Sequence, residues 1–315
     1  MNAKVKAVID IGSNSIKLRI GRQSENGAIE ALLDTAEVVQ LGRGFINGGI
    51  ANDTMQNALR VITEMVSTAR RKGADALSLV GTMALRRASN AAEFLNKVRN
   101  ATGLDIRIIS GEEEAAYSWK GAIAGINALP GQTIDNRDIV MFDTGGGSTE
   151  FVFGHGLMVK RSQSLPLGAV SLTEQLLSTG PMPCASLNSV MNYITKILAE
   201  HNIARFSNAL PFIIGLGGGV IAMASVKKGL ESTIQEELHG TTLTQDDLTH
   251  QVKLYAPLTL EERKKIPGLP PARANVILGS ACIVLSILKA LDTPSCTVST
   301  SGLRHAVLLE MFSKE

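Results

Sequence analysis

Two stretches of the chain share a pattern able to hold phosphate. Residues 10–21 read DIGSNSIKLRIG and residues 143–154 read DTGGGSTEFVFG, so that Asp, Gly, Ser and the terminal Gly coincide when Asp10 is laid on Asp143. In each, a turn (Gly12-Ser13-Asn14-Ser15 and Gly145-Gly146-Gly147-Ser148) interrupts residues of alternating polarity. Such turns leave main-chain N–H groups unpaired and let an anion approach closely, while the hydroxyls of Ser13, Ser15 and Ser148 add donors. One glycine turn alone would equally make an ordinary hairpin. Two matched copies, each preceded by an aspartate, favour a phosphate site.

Phosphate at such a site normally arrives with Mg²⁺, which takes one or two carboxylates and keeps several waters. Asp143 and Glu150 could share the ion if the hairpin sets them on one side, with Asp10 a third candidate ligand. The alternative is that Asp10 and Asp143 brace their own turns through backbone amides.

Further chemistry sits in the first half. Ser110 and Glu113 in the run ISGEEEA form an S-x-x-E capping box, and carboxylates favour the positive end of the helix it opens. Capping does not require three successive glutamates, so Glu112 or Glu114 is left as a candidate base for a water; spacing does not choose between them. In GTMALRR at 81–87, Arg86 and Arg87 follow a strand, where open α/β sheets gather ligand groups, and arginine grips phosphate with two parallel donors. Other basic clusters, Arg70-Arg71-Lys72 and Arg263-Lys264-Lys265, read as solvated surface. The glycines of IIGLGGGVIA at 213–222 fit a dinucleotide fingerprint poorly, because no strand with an acidic residue follows. The five histidines lack HxH or HxxxH spacing. Cys184, Cys282 and Cys296 lack CxxC spacing and read as small buried hydrophobes.

These residues need elements to carry them. Strands are expected at Ala7–Ile11, Lys17–Gly21, Leu77–Val80, Ile106–Ile109, Ile139–Phe142, Glu150–Gly154 and Phe212–Gly215. Apolar residues at three- and four-residue spacing predict a helix over Asn52–Lys72, closed by Gly73. Further helices are expected at Ala91–Arg99, from Ser110 to about Ala124, and near Ala185–His201, Gln245–Tyr255 and Ala272–Leu291. The tail Leu303–Phe312 is amphipathic, and Pro130–Arg137 reads as a linker. Strands alternating with helices argue for α/β architecture, and the internal repeat for two domains of similar fold facing each other across a cleft.

Composition agrees with this picture. The 315 residues carry a net charge of +2 and are 44% hydrophobic and 19% charged, which suits two packed cores and gives no footprint of a nucleic-acid binder. The apolar run Val276–Leu288 is too short to span a bilayer, and no signal peptide is expected at the N-terminus. A cytoplasmic protein without membrane association is the expectation.

Taken together, IDIGSNSIKLRI (9–20), GTMALRRASNAAEF (81–94), IISGEEEA (108–115), FDTGGGSTEFVFG (142–154), SLPLGAVSLTE (164–174), IGLGGG (214–219), PARANVILG (271–279) and SGLRHAVL (301–308) resemble the exopolyphosphatase / guanosine pentaphosphate phosphohydrolase family of the actin–Hsp70–sugar-kinase superfamily. The resemblance implies two actin-like (ribonuclease H-like) domains, residues 1–124 with a C-terminal helix at 302–315, and residues 125–301, in a short two-domain form. It implies Glu114 as the base that activates water, Arg86 as a phosphate ligand, the two turns as phosphate loops, and Asp143 and Glu150 as positions associated with Mg²⁺ (or Mn²⁺). The implied reaction is removal of a terminal phosphoryl group from inorganic polyphosphate or guanosine pentaphosphate; a homodimer is allowed for. A small-molecule kinase of the same fold and a low-turnover polyphosphate or nucleotide sensor are the rival readings. The chain departs from the family pattern at Ala116, Thr144 and Asn275.

Overall fold

The computed structural model describes residues 4–24, 29–42, 45–46, 48–134, 136–177, 180–204, 210–230 and 235–313, with backbone alone at 45–46, 184–185 and 235–236. The side chain of Cys184 and residue 135 of the Pro130–Arg137 stretch lie outside the described residues. The chain divides into two compact units, Met1–Gly121 with Leu303–Glu315, and Ala122–Gly302.

The first unit begins with β1 (Val5–Ile11), β2 (Ser15–Gln23) and β3 (Ile29–Val38), and a small ribbon of β4 (Phe45–Ile46) and β5 (Gly49–Ile50) follows. Helix α1 (Asn52–Arg71) buries Met55, Ala58, Ile62, Met65, Val66 and Ala69 along one stripe, and Gly73 (φ 83°) ends it. Strand β6 (Ala76–Gly81), α2 (Met83–Arg87), α3 (Ala91–Thr102), β7 (Ile106–Ile108) and α4 (Gly111–Asn127) complete the run, and the division between units falls within α4. The sheet order is β3-β2-β1-β6-β7. Strands β1, β2 and β3 are antiparallel, whereas β1, β6 and β7 are parallel.

The second unit repeats this plan. It runs through β8 (Asp138–Thr144), β9 (Thr149–His155), β10 (Met158–Leu165), α5 (Ala169–Leu176), α6 (Cys184–Glu200), β11 (Phe212–Leu216) and α7 (Gly218–Lys228). It continues with α8 (Gln235–Leu238), β12 (Thr242–Thr244), α9 (Gln245–Tyr255), α10 (Leu260–Arg263), α11 (Ile277–Ala290) and β13 (Ser295–Val298), before α12 (Leu303–Ser313) returns to the first unit. Its sheet order is β10-β9-β8-β11-β13-β12.

Each unit has its own core. Ile9, Leu18, Ile62, Leu79 and Phe94 belong to one, and Phe142, Phe151, Val220, Ile283 and Leu288 to the other. Helix α11 is buried on every side, which explains the apolar run at 276–288. No helix among the described residues is long and apolar enough to cross a membrane.

Several expectations are corrected. The helix expected from Ala272 starts at Ile277, because Pro270 and Pro271 hold residues 271–273 in a separate 3₁₀ turn. The Pro130–Arg137 stretch lies inside the second unit, where Ile134 is fully buried and its N–H donates to Asn127 Oδ1. Arg263 is not solvated surface: it is 1% exposed, and its Nε donates to the Tyr255 carbonyl at the end of α9, a favourable place for a cation. Lys264 and Lys265 beside it are exposed. The Cys282 and Cys296 thiols are buried, and burial pushes both up to about 12.

Candidate active site

In the first unit the carboxyl ends of three adjacent parallel strands carry every residue of interest. The β1–β2 turn is closed by Gly12 N donating to Ser15 O at 3.1 Å. Its carbonyls are occupied from outside: Val39 N and Gln40 N donate to Asn14 O, and Gly42 N to Ser13 O. Among the described residues, the Ser13 and Asn14 amides donate to no carbonyl, which leaves them for an anion. Ser15 is buried, while Gly12, Ser13 and Asn14 are half-buried.

After β6, Arg86 sits on α2. Its Nη1 donates to the Ile109 carbonyl at 2.7 Å and to Glu114 Oε2 at 2.9 Å. The two side chains are 27% and 28% exposed, so solvent reaches the pair. After β7, the expected capping box is formed: Glu113 N donates to Ser110 Oγ at 3.0 Å and Ser110 N to Glu113 Oε2 at 2.8 Å. Glu113 is therefore committed to the helix end and Glu112 is exposed. Glu114 alone of the three is paired with Arg86. A partly exposed carboxylate held by a guanidinium at the head of a helix can orient a water and accept its proton.

The second unit repeats the turn, with Gly145 N donating to Ser148 O at 2.9 Å. The repeat diverges one step away. In the first hairpin Asp10 is the register partner of Lys17, whose Nζ lies 3.8 Å from Asp10 Oδ2. In the second, Asp143 is the partner of Glu150. Residues directly opposite on antiparallel strands have adjacent Cβ atoms, and like charges there repel. The first hairpin thus sets a cation beside its aspartate, whereas the second sets two carboxylates side by side, hard oxygen ligands of the kind that could hold Mg²⁺ or Mn²⁺. Asp10, the third candidate ligand, lies in the first unit with Lys17 as its ion-pair partner. No group of three or more His, Cys, Asp or Glu among the described residues could hold a metal alone.

The glycine turn at β11–α7 borders this hairpin. Gly217 takes φ 108°, and a Cβ there would stand 2.5 Å from the Thr144 carbonyl and 3.1 Å from Asp143 Oδ1, so only glycine allows the approach. A Cβ on Gly218 would lie 2.3 Å from Arg273 Nη2. The Arg273 guanidinium is thus laid against the first residue of α7, and burial alone lowers its pKa. A half-buried guanidinium beside the positive end of a helix is a favourable place for an anion. Arg273 was not assigned a role from the sequence; a lone arginine held off the next helix by Pro270 and Pro271 was the available signal.

The model of the Ppx/GppA phosphatase family matches residues 20–315. A crystal structure of the Aquifex aeolicus Ppx/GppA family member shares 29% sequence identity and a TM-score of 0.83, covering 99% of this chain and 98% of that one. An exopolyphosphatase from Cytophaga hutchinsonii shares 25% identity and a TM-score of 0.83, covering 99% and 98%. The guanosine-5'-triphosphate,3'-diphosphate pyrophosphatase of Vibrio atlanticus is 27% identical over 308 residues, which are 97% of this chain and 59% of the relative's length. The two-sheet α/β architecture is that of the solved Ppx/GppA structures. The chain belongs to the Ppx/GppA phosphatase family.

Proposed function

We propose that the chain removes the terminal phosphoryl group of inorganic polyphosphate or guanosine pentaphosphate by in-line attack of water. The observation that carries this reading is the Asp143–Glu150 pair, two facing carboxylates beside a turn whose Gly146 and Gly147 amides donate to no carbonyl among the described residues. The named activities of relatives, exopolyphosphatase and guanosine pentaphosphate pyrophosphatase, support the same substrate class.

Phosphoryl transfer asks the protein for positioning and charge neutralisation more than for covalent chemistry. In the first unit the Ser13 and Asn14 amides, the Ser13 hydroxyl, Lys17 and Arg86 would bind phosphate oxygens, and in the second the Gly146 and Gly147 amides and Arg273 would do so, with the Ser148 hydroxyl held by Glu150. Asp143 and Glu150 would hold Mg²⁺, which when bound neutralises charge on the phosphate oxygens. Glu114 orients the attacking water and takes its proton, while Arg86 holds the Glu114 carboxylate in place through the Ile109 carbonyl.

The test is phosphate release from short polyphosphate, long polyphosphate and guanosine pentaphosphate under matched metal, with Glu114→Gln alongside. The variant is expected to lose more than about 100-fold in kcat, the scale of general-base catalysis, with KM little changed. Near-wild-type turnover would remove Glu114 from the base role. Phosphate appearing on an added acceptor would make the chain a kinase, and tight binding without release a sensor.

A further inference from the structure

The motif SLPLGAVSLTE at 164–174 is given no part in the reaction above, yet it touches the second hairpin at five points. Ser164, the register partner of Glu150 on β10, donates its hydroxyl to Glu150 Oε1 at 2.9 Å. Ser148 Oγ donates to the same oxygen at 2.6 Å. The Leu167 carbonyl accepts from the buried Thr149 hydroxyl at 2.5 Å. At the head of α5, Ala169 N donates to Gly145 O at 3.0 Å, and Val170 N and Ser171 N to Gly146 O at 2.8 and 3.0 Å. Between these lies Gly168, where a Cβ would stand 2.3 Å from Gly146 O and 2.4 Å from Gly147 N.

The first amides of a helix have no partner within it, and here they are spent on the carbonyls of the glycine loop. A loop whose carbonyls are drawn to one side presents its amides to the other. We propose that Ser164–Ser171 is a positioning clamp: its hydroxyl arm sets the rotamer of Glu150, and its helical arm turns the Gly146 and Gly147 amides toward the phosphate. The clamp rests on the phosphate and metal reading of this hairpin and assigns the residues that hold it in register. Outer partners of this kind typically change metal affinity 10–100-fold when removed.

Gly168→Ala and Ser164→Ala test the two arms separately. Gly168 has φ −127° and ψ 156°, which alanine adopts without strain, so the substitution acts through the loop contact alone. We expect faster amide hydrogen exchange in 145–148, unchanged protection of α11, and a KM for the phosphate substrate raised at least tenfold. Loop exchange and KM both at wild-type values would overturn the helical arm. Ser164→Ala is expected to weaken Mn²⁺ binding, read directly by electron paramagnetic resonance, about tenfold, with recovery in Ser164→Thr. Wild-type Mn²⁺ affinity in Ser164→Ala, where Glu150→Gln loses it, would overturn the hydroxyl arm. Wild-type affinity in Glu150→Gln as well would sink the metal reading itself, and the exchange measurement on Gly168→Ala would still decide the clamp.

Discussion

Thr144 stands beside Asp143 at the end of β8, 4% exposed, and its hydroxyl has no hydrogen-bond partner among the described residues. A buried hydroxyl left unsatisfied costs about 1–3 kcal/mol. Thr144→Val should therefore raise the midpoint of urea unfolding, and an unchanged or lower midpoint would mean that the hydroxyl has a use. Arg86→Lys makes the opposite kind of change. A lysine cannot bond the Ile109 carbonyl and Glu114 together while gripping phosphate, so KM and kcat should both deteriorate in steady-state assays. At this scale the reading from residue types went far where spacing was informative, as with Ser110 and Glu113. It stopped where a side chain's direction decided: spacing leaves Glu112 and Glu114 equivalent, the family resemblance names Glu114, and the ion pair with Arg86 singles out that same glutamate. Arg273 and Ser164 were invisible for the same reason, since their partners are distant in the chain.

Secondary elements were legible wherever a face is buried with regular spacing, as in α1, or where a capping pair marks the start, as in α4. Strands β3 and β10 were missed because their apolar residues do not alternate cleanly. β3 is partly exposed along its length, and in β10 Leu165 alone is buried. Beyond its ladder with β2, β3 is held ionically. Asp34 takes Arg19 Nη1 at 2.7 Å and Arg304 Nη2 of α12 at 2.8 Å, with all three side chains 10–13% exposed. Removing one partner from such a set leaves uncompensated charge and costs about 3–5 kcal/mol, so Asp34→Ala should lower the unfolding midpoint accordingly. The head of α9 carries a milder dependence. Burial pushes the Asp247 carboxyl up, but the Lys227 ammonium and the Thr244 backbone and hydroxyl donors outweigh it, and the group titrates below its ordinary 3.8. Its stabilisation is present above that value and is lost as pH falls through the lowered one. Asp247→Asn should flatten this part of the acid limb of stability against pH.

At the scale of the whole molecule, the internal repeat told of two similar halves before any element was placed, because strand, turn and strand recur with the same residues at their corners. The use of α12 was less legible. Its Leu303, Val307, Leu308 and Phe312 close over Val8, Val80 and Ile109, and Lys6 Nζ donates to the Met311 carbonyl at 2.7 Å. The last residues of the chain thus complete the core begun by the first. Each buried side chain of this kind contributes about 1.5–3 kcal/mol. A stop after Gly302 should leave the first unit open to limited proteolysis while fragments of the second unit persist; equal resistance of the two would argue that α12 is dispensable.

Lys17 and Glu150 occupy corresponding corners of the duplicated hairpin. Their difference means that the repeated aspartate faces opposite charge at one corner and like charge at the other. Exchanging Lys17 and Glu150 would swap the electrostatic character of the two corners without disturbing either strand ladder, so one residue per hairpin decides which sign of ion its turn attracts.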